Sequence, residues 1–186
     1  MKKALSSFIF AILLIGCVGG VSTSDDPKRP DLALNCSAGM SEYTVLDTSL
    51  GFCYDPVWGE VGVKDTVGVT GRLVEVTFAD DGPVVYYESA DFEPVEGGEK
   101  MADFESLIFT LNEERITENL VRYFDVSADS IVVKKSDVSG IRAARVEMDG
   151  KLEYYVPNTY DGFNLLISWD ADKAEEVDEF VFDVIL

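Results

Sequence analysis

The alternation of apolar and polar residues predicts that most of the chain forms β-strands. From Tyr43 onward, apolar residues recur mainly at every second position, which is the spacing of a strand with one buried face. The predicted strands are 43–45, 52–54, 73–78, 84–88, 131–135, 141–148, 151–156 and 163–169. The last of these is apolar enough to be central in a sheet, whereas residues 61–69, rich in Val and Gly, remain ambiguous. The turns at 80–83 and at 149–150 contain Asp and Gly, which are typical of hairpins.

Two stretches follow the 3.6-residue period of an amphipathic helix. The first starts at a capping box, Thr110–Glu113, and ends at Asp125 to Asp129. Its predicted apolar face consists of Ile116, Leu120, Tyr123 and Phe124. The second starts with Asp172 as N-cap, and its predicted apolar face consists of Val177, Phe180, Val181 and Val184. A long acidic loop is predicted over residues 89–106. The sequence therefore predicts an α+β fold in which helices cover an antiparallel β-sheet.

The first sixteen residues have the pattern of a secretory signal peptide. Lys2 and Lys3 precede an uncharged, mostly apolar run over residues 4–15. As a helix this run covers roughly 18 Å, well short of the roughly 30 Å hydrocarbon core of a bilayer. We therefore expect the segment to be removed rather than to remain as a membrane span.

Residues 14–17, Leu-Ile-Gly-Cys, resemble the lipobox of bacterial-type lipoprotein precursors. This resemblance implies cleavage after residue 16 and attachment of a diacylglycerol to Cys17. Residues 17–39 are then expected to be a lipid-anchored flexible tether, and residues 40–186 a single domain. The domain would lie on the extracytoplasmic side of a cell membrane or outer membrane. An ordinary cleaved signal peptide and an uncleaved form are the alternatives.

The chain is strongly acidic, with 35 acidic residues, 15 basic residues and a net charge of −20. Loss of residues 1–16 would remove two lysines and no acid, giving a net charge of −22. A charge of this sign excludes nucleic acid as a natural partner and repels anionic lipid headgroups, so we expect the domain to stand away from such a membrane. We favour solubility as the role of this charge, and recognition of a basic or metal-bearing partner is the alternative.

The three cysteines also fit export. If Cys17 carries lipid, Cys36 and Cys53 remain, and an even pair in an oxidising compartment suggests a disulfide. Such a bridge would tie the end of the tether to the first hairpin. Two buried free thiols are the alternative.

The chemistry available to the chain is limited because it contains no histidine. Ser-His-Asp and Cys-His catalysis and histidine-bearing metal sites are therefore excluded, and no phosphate-binding loop motif is present. Calcium could be held by Asp80 and Asp81 or by Asp170 and Asp172, but neither pair has EF-hand spacing. Solvated turn and cap carboxylates are preferred there. We therefore assign no catalytic residue, metal ligand or cofactor.

An aromatic cluster is a second candidate for recognition. Its members lie close together near one turn and are Tyr154, Tyr155, Tyr160 and Phe163. Tyrosine supplies contact area at low entropic cost, so a recognition surface is one interpretation. The preferred alternative is that these residues form the core edge of paired strands.

Residues 51–58, Gly-Phe-Cys-Tyr-Asp-Pro-Val-Trp, resemble the opening hairpin of the PsbP-like family. Similar runs follow at 139–143, 149–150, 154–157 and 162–168, so the resemblance covers roughly residues 43–186. It implies an antiparallel sheet sandwiched by helices, without shared catalytic residues. The lack of histidine departs from the photosynthetic members and disfavours metal delivery by histidine.

Together these features predict a non-enzymatic, lipid-anchored lipoprotein whose domain binds or assists another component of the cell envelope. Its expected partners are the membrane, through the lipid, and an envelope protein whose identity the sequence does not reveal. A calcium-dependent adhesion or assembly module is one alternative. A hydrolase based on two facing carboxylates is the other.

Overall fold

The structure is a computed structural model that describes residues 34–96, 112–159, 161–182 and 184–185. Within these ranges the first five strands are β1 (Ser41–Thr44), β2 (Gly51–Tyr54), β3 (Val61–Val67), β4 (Arg72–Phe78) and β5 (Val84–Ser89). The later strands are β6 (Ile131–Val138), β7 (Ile141–Met148), β8 (Lys151–Val156), β9 (Phe163–Asp170) and β10 (Val184–Ile185). The α-helices are α1 (Glu113–Phe124) and α2 (Ala174–Phe182).

In the described residues, seven strands form one antiparallel sheet with the order β3-β4-β5-β9-β8-β7-β6. The predicted α+β class with an antiparallel sheet is thus confirmed. β9 lies in the middle of the sheet, as its apolar composition predicted. The ambiguous stretch 61–69 contains the edge strand β3. Asp149 and Gly150 have φ values of 51° and 75°, the left-handed conformation that their two-residue hairpin requires.

A second, three-stranded sheet has the order β1-β2-β10. β1 and β2 form the first predicted hairpin, with Tyr43 opposite Phe52. β10 was not predicted, and Val184 lies in this strand opposite Phe52 rather than on the last helix. The placement of Val184 on a helix face was therefore wrong, because the backbone after α2 pairs with β2 instead of continuing the helix.

Each face of the large sheet carries its own buried core. Successive residues of a strand point to opposite faces, so Tyr154 belongs to one core and Tyr155 to the other. The larger core contains the small sheet and α2, and Phe180 is 2% exposed there. The smaller core lies beneath α1, where Ile116 and Leu120 pack with Val146.

Aromatic rings fill the larger core near one end of the sheet. The ring of Phe52 lies 5.4 Å from that of Phe180 and 6.2 Å from that of Phe78. Trp58, in a short 3-10 segment, lies 5.2 Å from Trp169 in an edge-on arrangement. Each such pair contributes about 0.5–1.5 kcal/mol beyond area burial, so this cluster fixes the small sheet on the large one.

The start of α1 differs from the prediction, whereas its end agrees with it. The N-cap of α1 is Asn112, whose side chain accepts a hydrogen bond from the Arg115 amide at 3.1 Å, whereas Thr110 lies outside the described residues. The side chain of Glu113 instead accepts from the amide of Lys135 on β6 at 3.0 Å. Asp125 ends α1 in the left-handed conformation, as its position predicted.

Two further details of the helices were wrong. Tyr123 and Phe124 do not join the buried face of α1, because they are 54% and 39% exposed at its last turn. Asp172 is not an N-cap, because it lies inside a 3-10 segment, Ala171–Lys173, that leads into α2. The acidic loop is described only to residue 96, where Glu93 forms a β-bridge with Thr70.

A polar cluster ties α2 to the large sheet. The guanidinium of Arg145, 12% exposed, donates to Asp178 with a Nε–Oδ1 distance of 2.9 Å and also contacts Glu147. The Tyr154 hydroxyl donates to the same Asp178 oxygen at 2.5 Å. Burial opposes ionisation of Asp178, but the hydrogen bonds from Arg145 and Tyr154 outweigh it and hold the Asp178 pKa below its usual value. Burial and the neighbouring Asp178 raise the pKa of Tyr154 to about 12.

Candidate functional site

An open groove of about 360 Å³ lies at the end of the large sheet where the β4–β5 hairpin turns. The turn residues 80–82 form one wall, and the facing ends of β8 and β9 form the other. Its lining combines carboxylates, a lysine, hydroxyl groups and aromatic rings: Phe78, Asp80, Asp81, Gly82, Val84, Tyr86, Lys151, Ser168, Trp169 and Asp170. Clefts of about 300–1,000 Å³ that combine aromatic side chains with polar groups are candidate binding sites, which makes this groove the first candidate.

Asp81 has two partners at the edge of the groove. Lys173 Nζ lies 3.1 Å from Asp81 Oδ2, and Trp169 donates from its indole Nε1 to Asp81 Oδ1 at 3.2 Å. The hydrogen bond from Lys173, together with that from Trp169, lowers the pKa of Asp81 below its usual value. Lys173 also lies over the Trp169 ring, 5.7 Å from its centroid. Asp81 is therefore an ionised, positioned carboxylate.

The other two carboxylates differ in their surroundings. Asp170 pairs with Lys151, with an Oδ1–Nζ distance of 2.6 Å. Asp80 is exposed, and its carboxylate lies over Gly59, where an added Cβ would be only 2.5 Å from Oδ2. Gly59 also has a φ of 83°, a left-handed value that favours glycine. This backbone therefore allows Asp80 to lie close to the 3-10 segment that carries Trp58.

The groove brings together residues that the sequence suggested as two separate calcium sites. Asp80, Asp81 and Asp170 line it together, whereas Asp172 does not. Lysine ammonium groups already occupy Asp81 and Asp170, where a cation would have to bind. Among the described residues, no group of three His, Cys, Asp or Glu side chains could hold a metal ion. The arrangement therefore gives the calcium alternative no support.

The same geometry bears on the hydrolase alternative. Two-carboxylate hydrolysis needs one protonated acid opposite one ionised base. The lowered pKa of Asp81 keeps this carboxylate ionised, and Asp170 is held by the ammonium of Lys151. Asp81 is therefore not suited to donate a proton to a leaving group.

The aromatic cluster considered as a recognition surface does not form a single surface. Tyr154 and Tyr155 are 4% and 2% exposed and lie on opposite faces of the sheet. Tyr155 donates to Glu153, and Phe163 stacks on Tyr87 with ring centroids 4.5 Å apart. Tyr160 lies outside the described residues. For Tyr154 and Tyr155 the interpretation as core residues of paired strands is confirmed.

Cys36 and Cys53 form a disulfide in the structure, with a Cα–Cα distance of 5.4 Å. This distance is within the usual range for disulfides, and Cys53 itself is buried in β2. The bridge therefore joins the residues that precede β1 to the middle strand of the small sheet, as expected from the sequence. Cys17 lies outside the described residues.

No protein-family model, curated protein or solved structure matches this chain. The resemblance to the PsbP-like family therefore stays a prediction. Within the described ranges, neither helix has the length and apolar content needed to cross a membrane.

Proposed function

We propose that this chain is an extracytoplasmic lipoprotein, anchored through lipid on Cys17, whose domain is a non-catalytic binding module. The observation that carries the proposal is that two of the three cysteines are paired, which leaves the third for another role. Because Cys36 and Cys53 are bonded to each other, Cys17 has no cysteine left within the chain as a partner. Its position at the end of a lipobox-like sequence gives it another use, as the site of acylation.

The disulfide also supports an extracytoplasmic location, since disulfides persist in oxidising compartments and are rare in the cytosol. The bridged cysteines are 17 positions apart, and the loop between them starts near the end of the proposed tether. We further propose that the domain belongs with the PsbP-like family. The confirmed antiparallel sheet with a helix over each face is consistent with that family, and the resembling residues 51–58 contribute Phe52 and Trp58 to the core.

We place the binding activity in the groove, and we propose a basic segment of an envelope protein as its partner. Asp80 supplies the carboxylate that no lysine occupies among the described residues, and the net charge of −20 adds an attractive field for such a partner. Asp80 is exposed and forms no ion pair within the part of the chain that the structure describes, so it can receive a lysine or arginine side chain. The aromatic walls formed by Phe78 and Trp169 can accommodate the aliphatic part of that side chain.

Acylation is tested by expressing the full precursor in bacteria that are fed a labelled palmitate. We expect the label on wild type and an intact mass that lacks residues 1–16 and includes the acyl chains. The Cys17→Ser variant should carry no label. A double variant, Cys36→Ser with Cys53→Ser, is the matched control and should be labelled like wild type. Unmodified wild type in the soluble fraction would contradict the lipid anchor.

The groove is tested by crosslinking the anchored protein to envelope proteins in intact cells. We expect Asp80→Asn with Asp170→Asn to reduce the yield of a specific crosslinked partner several-fold. The control variant, Glu118→Gln with Asp129→Asn, removes the same charge from exposed positions outside the groove lining. If both double variants lower the yield equally, net charge and not the groove determines binding.

A further inference from the structure

A patch of exposed aliphatic side chains lies at the end of the domain opposite the groove. The patch consists of Leu46, Val67, Val69 and Val95, which are 76%, 72%, 68% and 52% exposed. Single exposed aliphatic residues are normal, but several together mark a surface that meets an apolar partner. The proposed function leaves this surface without a role.

Backbone contacts place the members of the patch next to one another. Val67 stands opposite Arg72 in the β3–β4 register, and Arg72 donates from Nη1 to the Leu46 carbonyl at 3.0 Å. The Val69 amide donates to the Glu93 carbonyl at 2.7 Å, so the segment that leads to the fourth residue of the patch lies beside Val69. The Arg72 guanidinium also forms a bidentate ion pair with a neighbouring aspartate, so the positive charge of Arg72 is compensated.

The chain enters the domain at this same end. A Cβ built on Gly51 would lie 3.2 Å from Leu34 Cδ1, which places Leu34 beside the start of β2. Gly51 pairs with Thr44, and the loop between them carries Leu46. Residues 17–33, seventeen in number, connect the proposed anchor to Leu34, and they span at most about 60 Å when fully extended. An anchor at Cys17 therefore keeps the point where the chain enters the domain, beside the patch, within about 60 Å of the bilayer.

We propose that the Leu46–Val67–Val69–Val95 patch rests on the lipid bilayer in which Cys17 is anchored, so that the groove faces away from the membrane. This inference depends on the proposed lipid anchor. β4 runs from Arg72 at the patch to Phe78 at the groove, six residue steps or about 20 Å of strand. The groove would thus be held clear of the headgroups and open to partners.

Weak affinity is sufficient for this contact. Once Cys17 is anchored, docking of the patch is an intramolecular event with an effective concentration that reaches the millimolar range. Exposed Leu and Val side chains can then enter the boundary between headgroups and acyl chains, about 5–10 Å deep. The acidic charge opposes this contact with anionic lipids but not with zwitterionic ones. The domain is thus expected to stand away only from strongly anionic bilayers.

A protein partner is the other possible occupant of the patch. The bilayer is favoured because the chain from the proposed anchor joins the domain beside Leu46, which brings the patch to the membrane without any further component. The charge dependence also differs between the two occupants. Salt should strengthen contact with anionic vesicles by screening repulsion, the opposite of its effect on a basic membrane-binding surface.

The test uses the full acylated chain in phosphatidylcholine vesicles that contain a nitroxide-labelled lipid. A fluorophore is attached to Leu46→Cys in one sample and to Val57→Cys in another. Val57 is a matched control, because it is 70% exposed, also aliphatic, and adjacent to Trp58 at the groove end. With Cys17 acylated and the other native cysteines bridged, the introduced thiol is the one that reacts.

We expect quenching and a blue shift of the label at position 46 and neither at position 57. With part of the phosphatidylcholine replaced by phosphatidylglycerol, quenching at 46 should weaken at low salt and recover at high salt. If the vesicle-bound protein shows equal quenching at both positions, or none at 46, the patch does not rest on lipid. If the protein does not float with the vesicles, the lipid anchor itself is wrong and this inference fails with it.

Discussion

The most quantitative prediction concerns the disulfide between Cys36 and Cys53, because its contribution to the free energy of unfolding can be calculated from the length of the loop that it closes. The perturbation replaces both residues by alanine in a background that carries Cys17→Ser, so that no acyl chain or third thiol is present. Alanine avoids a buried hydroxyl at Cys53, which is 3% exposed. The variant keeps the rest of the small sheet unchanged.

The expected loss follows from the length of the closed loop. A sequence separation of 17 residues corresponds to about 3 kcal/mol of loop-closure entropy that the bridge removes from the unfolded state. This is a large share of the about 5–15 kcal/mol by which domains are stable. With a urea m-value of about 1–3 kcal/mol/M, the unfolding midpoint should fall by about 1–3 M.

The assay is urea unfolding followed by tryptophan fluorescence, with and without dithiothreitol. Reduced protein of the Cys17→Ser background should unfold at the same midpoint as the double alanine variant, and reductant should leave the double variant unchanged. Equal midpoints for oxidised background and double variant would refute the entropic argument. Two reactive thiols in unfolded, unreduced background protein would rule out the bridge itself.

Two further predictions concern the anchoring of α2. The Asp178 pKa is lowered in the folded state, so its stabilising effect is present above the unfolded value of about 3.9 and is lost as pH falls through the folded pKa. Asp178→Asn should therefore destabilise at pH 7 and approach wild type in acid, as measured by unfolding free energies across pH; a pH-independent difference would contradict this. Phe180→Ala should cost about 3–5 kcal/mol in urea unfolding, whereas Val57→Ala at an exposed site should stay within about 0.5 kcal/mol. If Phe180→Ala lowered the free energy of unfolding as little as Val57→Ala, the Phe180 ring would not anchor α2.

Local patterns predicted the elements whose signal lies within one segment. β7 and β8 have the predicted bounds, 141–148 and 151–156, because a period-two pattern on both sides of Asp149-Gly150 leaves one register. The run of consecutive apolar residues also placed β9 correctly, since a strand covered on both faces must be apolar at most positions. Ile116 and Leu120 were found by helical period because α1 buries that face.

Features that depend on distant pairing had no local signal. β10 is two residues long and exists because it pairs with β2, from the other end of the domain. Tyr123 and Phe124 have the right spacing for the apolar face of α1, but the last turn of that helix extends beyond the surface that it covers. Periodicity tells which face is apolar, and tertiary packing decides how much of that face is covered.

The groove could not be predicted from the sequence for the same reason, because it depends on the pairing of distant strands. In the sequence, Asp80 with Asp81 and Asp170 with Asp172 form two separate candidate pairs, because nothing there relates the β4–β5 hairpin to the end of β9. The juxtaposition of Asp80, Asp81 and Asp170 follows from the strand order, which places β5 beside β9. The lysine partners of Asp81 and Asp170 were likewise not foreseen.

The pairing of β10 with β2 also determines when during biosynthesis the domain can finish folding. Val184 must emerge from the ribosome before it can lie opposite Phe52, so a nascent chain lacks the strand that completes the small sheet. Until then the aromatic side chains beneath α2 have no cover, and the chain stays incompletely folded. An unfolded chain is what a narrow translocation channel accepts, so the late pairing of Val184 with Phe52 is compatible with the export that we propose.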